Sequence, residues 1–273
     1  MAGYIANDTK KVTTLRFKEM KQNGEKIAML TSYDYTMAGI VDGAGMDAIL
    51  IGDSASNVMA GYKTTLPITL DQMIYHASCV VRAVKRAMVV VDMPFGTYQG
   101  NPELGLASAV RIMRESQADC VKLEGGEEVL DSVKLILSAG IPIMGHLGLT
   151  PQSINKFGSF GLRAKTDVEA EKLLRDAHLL EEAGCFSLVL EKVPAALAAQ
   201  IAKELTIPVI GIGAGNGVDG QVLVAQDLFG MSHGFNPKFL RKYADLYTVM
   251  TDATQNYIKD VKDGSFPNKD EQY

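Results

Sequence analysis

A chain of 273 residues, 47% hydrophobic and 22% charged, has enough apolar material for a sizeable core, which excludes wholesale disorder. Its formal charge of −5 and lack of clustered Lys and Arg argue against a nucleic-acid binder, because phosphates are neutralised by such clusters. No run of about 18 apolar residues offers a membrane span, and the opening MAGYIANDTKKVTT lacks the apolar stretch of a secretion signal, so a soluble cytoplasmic protein is expected. Cys79, Cys120 and Cys185 are odd in number, widely spaced and set among apolar residues. That pattern reads as buried thiols, not as a disulfide framework or a zinc site.

Eight short apolar or β-branched runs follow in chain order: KIAMLT at 26, DAILIG at 47, MVVVD at 88, CVKLEG at 120, IPIMGH at 141, SLVLE at 187, IPVIGIG at 207 and QVLVAQD at 221. Helical signals lie between most of them. Thr69 with Gln72 reads as a capping box opening a helix through Arg82, and Thr166 with Glu169 as another, before a helix ending near Gly184. Asn101 and Pro102 supply an N-cap and a first helical residue, and Gly140 closes the helix after Glu128. Nearly continuous apolar strands alternating with helices require a parallel sheet covered by helices. Eight of them predict an α/β fold closed as a (β/α)₈ TIM barrel, with an open doubly wound sheet as the alternative. The whole chain, 1–273, reads as one barrel domain with a polar N-terminal segment and a C-terminal helical segment. In that last segment Phe239, Leu240, Tyr243, Leu246, Tyr247 and Met250 follow Pro237 at helix-like spacing, and a polar tail begins at Gly264.

In either layout the working residues gather at the carboxyl ends of the strands. The second run ends in Gly52-Asp53-Ser54, the third in Asp92-Met93-Pro94 and the fourth in Lys122-Leu123-Glu124. Three acids aimed into one mouth repel and lose hydration, a cost that a divalent cation offsets, and oxygen-only ligands favour a hard ion such as Mg²⁺. The alternative is that these acids cap helices or face solvent. Lys122 and Glu124 share a strand face, so Lys122 either presents its ammonium to an anionic substrate or forms a structural pair with Glu124. Glu191, ending the sixth run, is either a general base with a raised pKa or a loop carboxylate paired with Lys192. His146, ending the fifth, either binds a substrate oxygen or satisfies loop carbonyls. The glycines of 211–217 read as a tight turn at the mouth, since they do not open a helix in an early βαβ unit as a dinucleotide fingerprint does.

The strings TSYDYTMA, LIGDS, VVVDMPF, VKLEGGE, GHLGLTPQS, LVLEKVP and IPVIGIGAGNGVDGQVLV, in this order between about Thr31 and Pro237, resemble the ketopantoate hydroxymethyltransferase family. The resemblance implies a (β/α)₈ barrel, a Mg²⁺ ion, 3-methyl-2-oxobutanoate as substrate, 5,10-methylenetetrahydrofolate as one-carbon donor and a large homo-oligomer, commonly a decamer. Position by position, it places metal-associated acids at Asp53, Asp92 and Glu124, substrate contacts at Asp53, Ser54, Asp92 and Lys122, and the proton acceptor at Glu191. It also favours a pocket role for His146. The chain departs from the family pattern where Ala55-Ser56-Asn57 follows GDS, where the connection into the third strand is shorter, and where GSFGLRAK occupies 158–165. These changes bear on the lid over the pocket and the folate contacts, and leave the metal and base positions intact.

The implied chemistry is enolisation of a 2-oxo acid chelated to the ion, with Glu191 taking the C3 proton. The rival readings are a Mg²⁺-dependent lyase or mutase of the isocitrate lyase and phosphoenolpyruvate mutase type, and a non-catalytic metabolite-binding barrel. None of the three cysteines lies in the Lys-Lys-Cys-Gly-His loop typical of such lyases.

Overall fold

Each of the eight apolar runs becomes a strand. The computed structural model describes residues 10–273, so most of the polar opening segment, residues 1–9, lies outside the described residues. The strands are β1 (Ile27–Thr31), β2 (Ala48–Ile51), β3 (Met88–Asp92), β4 (Cys120–Glu124), β5 (Ile143–Gly148), β6 (Ser187–Glu191), β7 (Val209–Ile212) and β8 (Gly220–Leu223). All neighbours pair in parallel and β8 returns to β1, closing an eight-stranded barrel. Closure decides against the open sheet.

The helices are α1 (Thr14–Gln22), α2 (Tyr35–Gly43), α3 (Ala55–Val58), α4 (Leu70–Ala83), α5 (Pro102–Ser116), α6 (Leu130–Ser138), α7 (Ile154–Phe157), α8 (Asp167–Ala183), α9 (Ala195–Glu204), α10 (Ala225–Leu228) and α11 (Leu246–Asp263). The capping box at Thr69 and Gln72 opens α4 in both directions, and Asn101 with Pro102 opens α5. At α8 only half of the expected box forms. The Thr166 hydroxyl accepts from the Glu169 N–H, but the Glu169 carboxylate turns outward to Arg163 and the Lys165 N–H. Left-handed Gly184 ends α8 as expected.

The barrel interior is filled by Met29, Leu50, Met88, Val90, Cys120, Met144, Val189, Ile210 and Val222. Phe17 and Met20 of α1 join the same core beside Ile27 at the start of β1, so α1 plugs the amino-terminal mouth. Lys21 fastens this plug, donating to the carbonyls of Ala202 and Ile207 and pairing with Asp219. The opposite mouth is therefore the one left for chemistry. Strand alternation then carries the inward face from Val90 to Asp92, from Cys120 to Lys122 and Glu124, from Met144 to His146 and from Val189 to Glu191. Register aligns them: Asp92 lies opposite Lys122, Glu124 opposite His146 and Gly148 opposite Glu191.

The glycine turn of 211–217 packs onto α9, where a Cβ at Gly217 would lie 2.6 Å from that of Ala199. Cys120 and Cys185 are buried free thiols, whereas Cys79 is only half-buried, with Arg82 Nη2 3.6 Å from its sulfur.

The chain divides into two compact units, the first running through Val224 and the second spanning Ala225–Tyr273. Within the second, the expected helix after Pro237 starts late. The N–H groups of Tyr243, Leu246 and Tyr247 donate to Leu228, Phe229 and Gly230, holding the backbone irregular until Asp245 caps α11. Phe239, Leu240 and Tyr243 therefore precede the helix that their spacing suggested. The polar tail contains a 3₁₀ turn at Lys269–Glu271, opened by an Asn268 and Glu271 capping box. Among the described residues no helix is long and apolar enough to cross a membrane.

Candidate active site

Asp53, Asp92, Lys122, Glu124 and His146 are all buried at the carboxyl mouth, and Glu191 lines it with 16% of its side chain exposed. Asp92 is the hub. Its Oδ2 accepts the Asp53 N–H at 3.0 Å, and its Oδ1 faces Lys122 Nζ at 2.8 Å. The lysine thus pairs with Asp92 and not with Glu124 as the structural alternative had it. Lys122 also lies 3.0 Å from His146 Nδ1, whose ring is flanked by Glu124 Oε1 at 3.5 Å and, through Nε2, by Glu191 Oε2 at 3.4 Å. His146 therefore sits inside the constellation, between the acids of β4 and β6. Ser54 Oγ lies 2.8 Å from the hydroxyl of fully buried Tyr33. A Cβ at residue 52 would press to 2.7 Å from that Oγ, so Gly52 keeps the approach open.

Four carboxylates facing one lysine leave the mouth over-negative. Burial, with Glu124 and Asp92 nearby, pushes the Asp53 carboxyl well above its ordinary range. Burial also raises Asp92, against the opposing pull of Lys122. Burial would lower Lys122, but Asp92, Glu124 and Asp53 more than reverse it. For His146, burial and the Lys122 charge oppose protonation, yet Glu124 and Glu191 lift the imidazole to about 9. The close approach of Lys122 to Nδ1 suits a neutral ring accepting there, so protonation of His146 and the lysine contact compete.

A hard divalent cation fits this donor set. Glu124 Oε1 is a buried carboxylate oxygen without a hydrogen-bond partner, and Asp92 Oδ1 has the Lys122 ammonium for its contact. Among the described residues, no three His, Cys, Asp or Glu side chains converge as a ready-made cage. A Mg²⁺ ion does not need one, since it keeps several waters and takes only one or two carboxylates with the substrate.

Beside Glu124 lies a cavity of about 320 Å³ lined by Phe95, Tyr98, Leu147, Gln152, Phe157 and Arg163, among others. Arg163 and Ala164 bring the segment 158–165 to its lining. Arg163 lies 4.2 Å over the Phe157 ring and donates its N–H to the Lys192 carbonyl, while Lys192 Nζ reaches the Phe160 carbonyl. Lys192 has φ +46°, a left-handed conformation uncommon outside glycine. The strain sits immediately after Glu191, where these two hydrogen bonds join the end of β6 to the segment 158–165.

A profile of the ketopantoate hydroxymethyltransferase family matches residues 11–269. A relative from Bacteroides fragilis named 3-methyl-2-oxobutanoate hydroxymethyltransferase is 76% identical over all of both chains, and one of the same name from Bacteroides thetaiotaomicron is 74% identical over the same span. The chain belongs to the ketopantoate hydroxymethyltransferase family. Among solved structures, a phosphonopyruvate hydrolase shares the fold at a TM-score of 0.62 with 10% identity, covering 95% of this chain and 93% of its own. A 2,3-dimethylmalate lyase does so at 0.59 with 15% identity, covering 95% and 91%. At such identities the likeness is one of fold.

Three residues of this family member escaped the sequence reading as individuals: Gln152, Tyr98 and Tyr33. Gln152 touches both Asp53 and Glu124, Tyr98 accepts the Glu124 N–H at 2.9 Å, and Tyr33 holds Ser54. Gln152 and Tyr33 lay inside the strings GHLGLTPQS and TSYDYTMA, the only signal that pointed near them.

Proposed function

We propose that this protein transfers a hydroxymethyl group from 5,10-methylenetetrahydrofolate to 3-methyl-2-oxobutanoate, giving ketopantoate, as a Mg²⁺-dependent, cytoplasmic enzyme. The observation that carries the reading is the buried mouth in which Asp53, Asp92, Glu124 and Glu191 surround Lys122 and His146, in a chain so close to relatives of that name. Asp53, Asp92 and Glu124 would hold the ion. When bound, it supplies Lewis-acid stabilisation of negative charge developing on the ketone oxygen, a matter of several kcal/mol.

The chain's own residues do the rest. Lys122 and Ser54 bind the substrate carboxylate, and Tyr33 fixes the Ser54 hydroxyl, which holds the oxo acid in a near-attack geometry. Glu191 takes the C3 proton. His146, 3.4 Å away, orients the Glu191 carboxylate. The C3 carbon then attacks the folate's methylene carbon, both methylene–nitrogen bonds break as water supplies the hydroxyl, and the two freed nitrogens take up the C3 proton and the remaining water proton. The cavity beside Glu124 would take the folate: its Phe95 and Phe157 rings suit a flat heterocycle, and its volume is in the range of small-ligand pockets. A homodecamer completes the reading, supported by the exposed Val249, Met250, Tyr257, Ile258 and Val261 of α11.

Incubation with Mg²⁺ and 3-methyl-2-oxobutanoate in D₂O should exchange the C3 proton, and later addition of methylenetetrahydrofolate should yield ketopantoate. Exchange without product would favour lyase or mutase chemistry. Neither would leave a non-catalytic barrel.

A further inference from the structure

Gln152 makes more directed contacts to the acids of the mouth than any of the residues assigned to it above. Its backbone N–H donates to Glu124 Oε2 at 2.9 Å, and its side-chain Nε2 donates to Asp53 Oδ2 at 3.0 Å and to the Met93 carbonyl at 2.9 Å. We infer that Gln152 is a positioning residue for the cation, its backbone fixing Glu124 and its side chain fixing Asp53, so that one residue sets the geometry between two of the acids. This rests on the proposed metal role of those acids.

The network leaves the amide one orientation. The Gly96 N–H donates to Gln99 Oε1, so the Gln99 amino group faces Gln152 and donates to its Oε1 at 2.8 Å. The Tyr98 hydroxyl accepts the Glu124 N–H and donates to the same Oε1 at 2.8 Å. With two donors on its oxygen, the Gln152 amide must turn its nitrogen to Asp53 and Met93. Gln152 is 5% exposed and Tyr98 fully buried, so the bond between them is shielded from bulk solvent. The result leaves Asp53 Oδ2 occupied and a carboxylate that cannot rotate. Carboxylates positioned by such partners bind metal about 10–100-fold more tightly than the same ligands left loose.

The test is Mn²⁺ affinity, read by electron paramagnetic resonance of the free ion, in the full-length protein and in Asp53→Asn, Gln152→Met and the double variant. Thermal unfolding reports whether each is folded. Gln152→Met preserves side-chain length and the backbone bond to Glu124 but removes the grip on Asp53. Each single variant should weaken Mn²⁺ binding by about 10–100-fold, and the double variant should bind no more weakly than Asp53→Asn alone, because the two act through one carboxylate. If Asp53→Asn weakens binding while Gln152→Met does not, or if the two losses multiply, the inference is overturned and the metal reading stands. If Asp53→Asn binds Mn²⁺ like the parent, the metal role of Asp53 fails and the inference falls with it. Should Gln152→Met not fold, Gln99→Leu removes a donor that orients the amide and touches neither Asp53 nor Glu124: weakened Mn²⁺ binding supports the inference and unchanged binding overturns it.

Discussion

Lys122 shows how a single side chain tells more in the fold than in the sequence. Its spacing from Glu124 put both on one strand face, but the register of β3 against β4 sets it against Asp92. That Asp53, Asp92, Glu124, His146 and Glu191 share one mouth was legible because each lies at or within two residues of the carboxyl end of a strand, and strand ends in such sheets converge. Gln152 and Tyr98 were not, because their roles depend on contacts across 99 and 26 residues of chain, to Asp53 and Glu124 respectively, and no local pattern encodes those. The over-negative mouth has a consequence for stability. His146, Asp53 and Asp92 all bind protons more tightly folded than unfolded, so their contribution is full at low pH and fades as pH rises. In chelator, the melting temperature should fall as pH climbs from the ordinary histidine range of 6.5 through about 9. Saturating Mg²⁺ should flatten that fall. A metal-free protein whose melting temperature rises across this window would contradict the charge balance described here.

At the scale of elements, the close pairing of β5 and β6 delivers Glu191 to the mouth. The Leu149 N–H donates to the Glu191 carbonyl at 2.8 Å, and Gly148, at φ +91°, leaves no room for a side chain against that same carbonyl. Gly148→Ala should cost about 1–3 kcal/mol through backbone strain, measured by denaturant unfolding. It should also slow C3 exchange more than it weakens metal binding, because it displaces Glu191 and not the acids of β2 to β4. From the segment 158–165, which departs from the family pattern, Arg163 and Ala164 line the cavity, with Arg163 stacked over Phe157. Phe157→Ala should raise KM for the folate while leaving folate-independent C3 exchange unchanged; an equal loss in both would place the folate elsewhere. The strands themselves were readable because both faces of a closed parallel sheet are buried, which writes each as an apolar run. The start of α11 was not, since the N–H groups of Tyr243, Leu246 and Tyr247 bond to the carbonyls of 228–230 and override a helix-like spacing.

For the barrel as a whole, stability and chemistry sit at opposite ends. Phe17 is fully buried in the plug and meets Phe186 edge-on at 5.8 Å, far from the acids in the fold's layout. Phe17→Ala should therefore cost about 3–5 kcal/mol in unfolding free energy yet leave turnover near normal at temperatures where the variant stays folded. Loss of turnover in folded protein would mean that the two mouths are coupled. At the other mouth, Glu191 is proposed to take a proton from a bound oxo acid. Proton NMR of 3-methyl-2-oxobutanoate in D₂O with Mg²⁺ and the Glu191→Gln variant tests it most directly. The geometry predicts retained oxo-acid binding with C3 exchange slowed by about 10²–10⁴, and exchange at the parent rate would place the base on another residue.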